Sequence, residues 1–229
     1  MNNLKFVIVL SFIGFLLMGC GNSRQTKEAE VSEAKEAPKE SETSGAKYQV
    51  DLNKSKINWE GEKKFTNTNH NGVIDLKSGS FKVEDGSIKA GNFVIDMTSL
   101  ENKDLKGSPE DKKKLEGHLK SEDFFHVSKY PQGKFELTGV KKLSGDTAHT
   151  HTVKGNLTLK DVTKNISFPA NIDMGKKSFK AKSEFHINRA DFNVKYGSET
   201  FNPELVQDKI IKDAIHLDIN LVAKRQSSS

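Results

Sequence analysis

Residues 153–174 read VKGNLTLKDVTKNISFPANIDM. Leu157 and Leu159 stand two apart, and across a short turn Ile166, Phe168 and Ile172 keep to alternate positions. Successive side chains on a strand point to opposite faces, so a period of two marks a strand with one apolar face and one wet face. Two such runs in succession predict an antiparallel pair.

The same period recurs along most of the chain. SKINWEG puts Ile57 and Trp59 on one face; Ile74 and Leu76, then Phe81 and Val83, continue the pattern. GNFVIDM aligns Phe93, Ile95 and Met97, and FELTG aligns Phe135 and Leu137. SFKAKSEFHI offers Phe179, Ala181, Phe185 and Ile187, and AIHLDINLVA offers Ile215, Leu217, Ile219 and Leu221. Gly, Asn, Asp and Ser clusters separate the runs. About eight antiparallel strands in meander order suit a closed barrel or a sandwich. With one cysteine, Cys20, the fold has no internal disulfide.

One interruption is helical. Ser108, Pro109 and Asp111 supply a cap residue, a proline for the first helical position and an acid near the start, and Leu115 and Leu119 follow four apart. The spacing predicts a short helix from about Pro109 to Leu119, and a second turn capped by the hydroxyl of Ser121. Leu115, Leu119, Phe124 and Phe125 form its apolar side, with Lys112, Glu116 and Lys120 in water. Pro131 ends the insertion by holding Tyr130 extended. The whole insertion, LEGHLKSEDFFHVSKYP over 115–131, reads as a plug or lid.

The N-terminus has a different character. Lys5 precedes an apolar run from Phe6 to Met18, too short to span a membrane comfortably and typical of a secretory signal. The run ends Leu17-Met18-Gly19-Cys20, which resembles the lipobox of bacterial lipoproteins. The resemblance implies removal of residues 1–19 and acylation of Cys20, a membrane anchor. Gly21 follows, not the aspartate associated with inner-membrane retention in enteric bacteria, so the expected location is the outer membrane of a bacterial envelope, facing the periplasm or the surface. Residues 21–47 hold one large aliphatic side chain, Val31, among Ala, Glu, Lys and Ser, and read as a disordered tether. The globular domain then spans 48–226.

The net charge of +5 is spread over the chain without a dense Lys/Arg block, which argues against nucleic-acid binding. His149 and His151 share a side of a strand, but no third ligand stands at metal spacing, so no metal site is expected. His118 is expected to hydrogen-bond locally, and His70 to sit in an Asn-rich turn. No Ser-His-Asp order, catalytic carboxylate pair or phosphate loop is evident, so no catalytic residue is assigned. Arg189 follows the inward side of Phe185 and Ile187. A buried arginine must be paired, and Asp191 or Asp96 is the expected partner, with a ligand head group as the alternative.

Several stretches together resemble the YceI-like family of periplasmic, lipocalin-like barrels that bind polyisoprenoids. They are Tyr48-Gln49-Val50-Asp51 with Ser55 through Trp59, Asn69-His70-Asn71-Gly72, Phe93 through Leu100, LEGHLKSEDFFHVSKYP with Phe135, VKGNLTLKDVTKNISFPA, and FHINRADFNVKYG. The likeness covers about 48–224 and departs at His126, where the family's FFDV pattern has aspartate. It implies an all-β, eight-stranded antiparallel barrel with an apolar cavity and a helical insertion beside it. It also implies a long isoprenoid ligand, a quinone tail or polyprenyl carrier, and no other cofactor. The positions expected to line such a cavity are Trp59, Phe81, Phe93, Ile95, Met97, Leu119, Phe124, Phe125, Phe135, Leu157, Phe168, Phe185 and Arg189.

Pattern alone favours a packed core over a lined tube for these residues, and the family resemblance reverses that preference. Three roles remain: an isoprenoid binder or carrier, an envelope enzyme acting on a lipid-like substrate, and a stress-related barrel that binds another protein without a ligand. The oligomeric state is not readable.

Overall fold

The computed structural model describes residues 26–66, 68–145, 148–175 and 177–227. Cys20 and the expected signal lie outside the described residues. Eleven strands follow in chain order: β1 (Lys27–Glu28), β2 (Glu30–Glu33), β3 (Ala46–Val50), β4 (Lys56–Glu62), β5 (Asn69–Glu84), β6 (Ser87–Asn102), β7 (Gln132–Lys142), β8 (His151–Leu159), β9 (Val162–Met174), β10 (Ser178–Asn188) and β11 (Ala214–Arg225). One helix, α1 (Pro109–Lys120), lies between β6 and β7.

From β5 to β11 each strand pairs antiparallel with the next, and β11 returns to β3 and β4, which share a single position in the ring. The result is the expected eight-stranded closed antiparallel barrel. Its longest hairpin, β5–β6, turns on Asp85-Gly86, whose φ angles of 49° and 71° give the left-handed pair that a two-residue hairpin needs.

Alternation sets the inner face, but not in constant phase. Ile74 and Leu76 point inward from β5, and so do Phe81 and Val83, although an odd number of residues separates the pairs. A register shift between Leu76 and Ser78 slips the phase by one. A similar shift between Leu137 and Gly139 lets both Leu137 and Val140 face inward from β7.

The helix forms where expected, ending at Lys120. The Ser108 hydroxyl does not cap an amide; it donates to the Asp111 carboxylate at 2.6 Å. A second turn does start at Ser121, whose carbonyl accepts the Phe124 and His126 amides at 3.2 and 2.7 Å, but the Ser121 hydroxyl does not cap it and donates instead to the His118 carbonyl. His126 adopts φ 48°, a left-handed conformation that Asp, Asn and His tolerate better than most side chains, which accounts for histidine at the aspartate position. Lys112, Glu116 and Lys120 are half-buried rather than wet. The first two tie α1 to β6: Lys112 pairs with Glu101 at 2.9 Å, and Glu116 accepts the Asn102 amide at 2.8 Å. Hydrogen bonds from Lys103 and Lys112 pull the Glu101 carboxyl down to about 2. His70 is a strand residue, its Nδ1 2.9 Å from Asp104.

The tether expectation is corrected over part of its length. β1 pairs parallel with β10, β2 pairs antiparallel with β9, and Ala29 between them is buried. Backbone ladders, which need no particular side chain, order this polar segment.

Gly155 on β8 leaves room for the ring of Phe135; a Cβ there would stand 2.3 Å from the ring and 2.8 Å from the Glu136 carbonyl. Gly155→Ala is expected to destabilise the barrel by about 1–3 kcal/mol in urea unfolding. Gly139→Ala, where a Cβ meets nothing within 4 Å, should change stability by no more than about 0.5 kcal/mol. Equal effects from the two would refute the ring-over-glycine account.

Candidate functional site

The barrel encloses a cavity of about 390 Å³ with an almost wholly apolar wall. Trp59 of β4, Phe81 of β5, Phe93, Ile95 and Met97 of β6, Phe135 of β7, Leu157 of β8, Phe168 of β9 and Phe185 of β10 all line it. Sequence reasoning had not placed Ile57 or the β11 residues Ile215, Leu217, Ile219 and Leu221 on this wall. Their alternation was visible; what was missing was that closure brings β11 round to β4.

Between packed core and lined tube, the geometry favours the tube. Phe93, Ile95, Leu217 and Ile219 point to the middle of the domain yet stay only half-buried, because the lumen in front of them is open. In a filled core the same positions would be fully buried.

The aromatic rings form a belt across this space. Phe81 packs on Phe179 at 4.6 Å, Phe93 stands 6.2 Å from Phe135, and Phe135 stands 5.8 Å from Phe168. Phe168 and Phe185 then stack at 4.2 Å with ring planes 7° apart. Each ring is fixed by its neighbours, so the lumen keeps its width without being filled.

The insertion lies across one end. Leu115 and Leu119 of α1, with Phe124 and Phe125 of the following turn, line the cavity from above. His118 also faces it, edge-on to Tyr196 at 4.3 Å. Its Nε2 is buried without a hydrogen-bond partner, contrary to the local bond expected of it. Lys63, Thr68 and His70, around the β4–β5 turn, form a polar rim beside α1.

Arg189 closes the same end and is 1% exposed. Its partner is Asp213, at 3.1 Å, not Asp191 or Asp96. That contact is one of charge, since no N–H is aligned on Asp213 Oδ1. The aligned bonds go to carbonyls: Nη1 donates to Val194 and Tyr196 at 3.0 and 2.8 Å, Nη2 to Ile211 at 3.2 Å and Nε to Lys212 at 3.3 Å. Asp213 Oδ2 is held by Ser198 and Thr200. Burial lowers the arginine pKa and Asp213 opposes the shift. The local sequence explains the geometry: the Asn188 side chain accepts the Ala190 amide, Arg189–Phe192 makes a 3-10 turn, and Asn193 ends it at φ 56°. Arg189 thus knots the 189–213 crossover together, and its guanidinium lies 5.4 Å over the Phe124 ring.

His151 opens β8 with Nδ1 2.7 Å from the Thr150 hydroxyl. Among the described residues no group of three His, Cys, Asp or Glu side chains is placed to hold a metal.

Arg189→Met removes the shared donor and strands Asp213 and four carbonyls. We expect a loss of about 3 kcal/mol or more in urea unfolding, not rescued by Arg189→Lys. Unchanged stability with impaired ligand retention would instead make Arg189 a head-group contact.

With the geometry in place, comparison with known proteins gives it a family. The YceI-like domain model matches residues 48–223. Protein YceI of Escherichia coli O157:H7 is 34% identical over 157 residues, 61% of this chain and 75% of that protein. The Salmonella arizonae protein of the same name is 33% identical over 156 residues, with the same shares of each chain. Among solved structures, Burkholderia cenocepacia BcnA aligns at a TM-score of 0.57 and 22% identity, over 76% of this chain and 98% of that one. A polyisoprenoid-binding domain from Saccharophagus degradans aligns at 0.54 and 18% identity, over 78% of this chain and 98% of that one. These two show a shared fold. The match across 48–223, together with the sequence relatives, makes this chain a member of the YceI-like family.

Proposed function

We propose that the barrel binds a long-chain isoprenoid, of quinone or polyprenyl type, in its lumen, and that the protein carries it at a membrane to which Cys20 anchors the chain. The observation behind this reading is the open, ring-belted, apolar cavity. Each buried CH2 of a chain threaded there gains about 0.8 kcal/mol, and the rings need no rearrangement to receive it. The polyisoprenoid-binding neighbour of the same fold supports the ligand class. The binding character of the family supports a carrier in preference to an enzyme. The lipobox at Leu17–Cys20 supports a lipoprotein of the bacterial envelope, with the outer membrane as its site.

Mass spectrometry of a solvent extract from the purified protein should find an isoprenoid at up to one per chain. Ala181→Phe adds a ring to the lumen wall at a half-buried position. It is expected to keep the chain folded and to lose most of that ligand. Ligand retained at the wild-type level in the filled variant would rule out the lumen as the binding place.

The anchor is tested separately. Cys20→Ser should leave an unacylated protein that is released from membranes by carbonate. A variant that is still processed and stays membrane-bound after the wash would end the lipoprotein reading.

A further inference from the structure

The barrel wall is seamed between β9 and β10. β9 and β10 pair only through Asn171–Met174 and Phe179–Lys182. Pro169, which has no amide hydrogen to give a ladder, sits just beyond the last pair, and its carbonyl takes the Ser183 hydroxyl at 2.5 Å. From there on the two strands no longer pair with each other, although each still pairs with its other neighbour.

The N-terminal segment fills the gap. Lys27 and Glu28 pair with Phe185 and His186 of β10, the Ala29 amide donates to the His186 carbonyl at 2.9 Å, and Glu30–Glu33 pair with Lys164–Ser167 of β9. Ala29 and Val31, two apart, pack against the core, while Glu30 and Glu33 stay outside. The hydroxyl of Thr26 meets the Nδ1 atoms of His186 and His216 at 3.2 and 2.7 Å. Farther along, Asn156 clamps the backbone of Lys35 twice, accepting its amide at 3.0 Å and donating to its carbonyl at 2.6 Å. Asn165 steadies that clamp at 3.0 Å from Asn156. On the lumen side of the same seam stand Ile166 and Phe168 of β9 and Phe185 and Ile187 of β10.

We propose that the segment 26–35 is a removable wall strand, and that the β9–β10 seam beneath it is the lateral portal through which an isoprenoid chain passes between bilayer and lumen. The proposal rests on the isoprenoid-binding reading. Two observations favour the seam over the α1 end. At that end the insertion is locked in place by side chains: Lys112 on Glu101, Glu116 on the Asn102 amide, and Arg189 against Asp213 and Phe124. The strap is instead a short surface strand: its release breaks its ladder bonds, the Asn156 clamp on Lys35, the Thr26 contacts, the Lys164–Glu33 and His186–Glu28 pairs and the apolar contacts of Ala29 and Val31, but leaves no charge buried. Second, the strap begins close to Cys20. Lys27 is seven positions on from Cys20, a reach of at most about 25 Å. An acylated Cys20 would therefore hold the seam beside the bilayer, where a long apolar chain can slide in without crossing water. The acidic outer positions of the strap give it no comparable apolar stake in the wall.

The test locks the strap in the full chain. Glu30 and Ser167 are cross-strand partners, and neither lines the cavity. Glu30→Cys with Ser167→Cys, stripped of lipid, is incubated oxidised and reduced with phosphatidylcholine vesicles containing ubiquinone, and quinone taken up is read by solvent extraction. We expect uptake to slow roughly tenfold or more in the oxidised form and to recover on reduction, with the same final occupancy. Asn156→Ala, which removes two strap hydrogen bonds, should speed wild-type uptake roughly tenfold. The unmodified chain under the same oxidant controls for Cys20. Equal uptake rates in the oxidised and reduced forms would overturn the portal while leaving the lumen as a binding site. No uptake in either form, or in the unmodified chain, would remove the binding reading and the portal with it.

Discussion

Everything inside the barrel depends on how β11 closes onto the start of the domain. The first wall position is split between β3 and β4 by a turn at 52–54, which would leave a hole in the ladder opposite β11. Ser55 mends it. Its buried hydroxyl accepts the Val222 amide at 3.0 Å and lies 2.9 Å from the Asp51 carbonyl, while the Asp51 amide reaches the Val222 carbonyl at 2.8 Å. A closed antiparallel sheet has no free edge, so the ring stands without a filled interior. The apolar side chains that pack against one another along the wall supply the stabilising burial, while the lumen between them stays free for a ligand.

The inner residues then divide the work. Where a ring must lie flat across the wall, its neighbour is reduced to glycine: Gly155 under Phe135, and Gly72 under Trp59, whose ring would stand 2.6 Å from a Cβ there. The rings hold the lumen at fixed width while Ile57, Leu217 and Ile219 complete an aliphatic wall. Polar groups are kept at the ends, where Arg189 spends its donors on carbonyls of the 189–213 crossover. A charge satisfied by its own backbone does not oppose an apolar occupant.

Much of this was legible because a half-buried strand writes its inner face at every second residue. Phe93, Ile95 and Met97 could be placed on the wall from spacing alone, as could the helix from Ser108-Pro109 and the pair Leu115 and Leu119. The phase slip in β5 was not legible: Phe81 and Val83 read as a continuation of the pattern, yet they reach the inner face through the irregularity between Leu76 and Ser78. Nor was the partner of Arg189. Asp213 lies beyond a crossover whose path is set by backbone turns at Asn193 and Gly197, and no period in the sequence encodes it. Choosing between a filled and an open interior needed the volume enclosed by closure, a property of the ring and not of any strand.

The N-terminal segment failed to announce itself for a deeper reason. Composition reports what side chains can bury, and KEAEVSE can bury almost nothing, so it reads as a tether. A strand added to an exposed ladder gains order through its backbone, and any sequence without proline can supply that. The signal lay on the host side. Asn156 and Asn165 face outward as cross-strand partners, and both are buried, which outward asparagines on a bare barrel would not be. Together with Pro169, which interrupts the edge beside them, they mark a stretch of wall made to receive another piece of chain. The nearest unplaced piece, a few residues from the expected anchor, is the one that takes it.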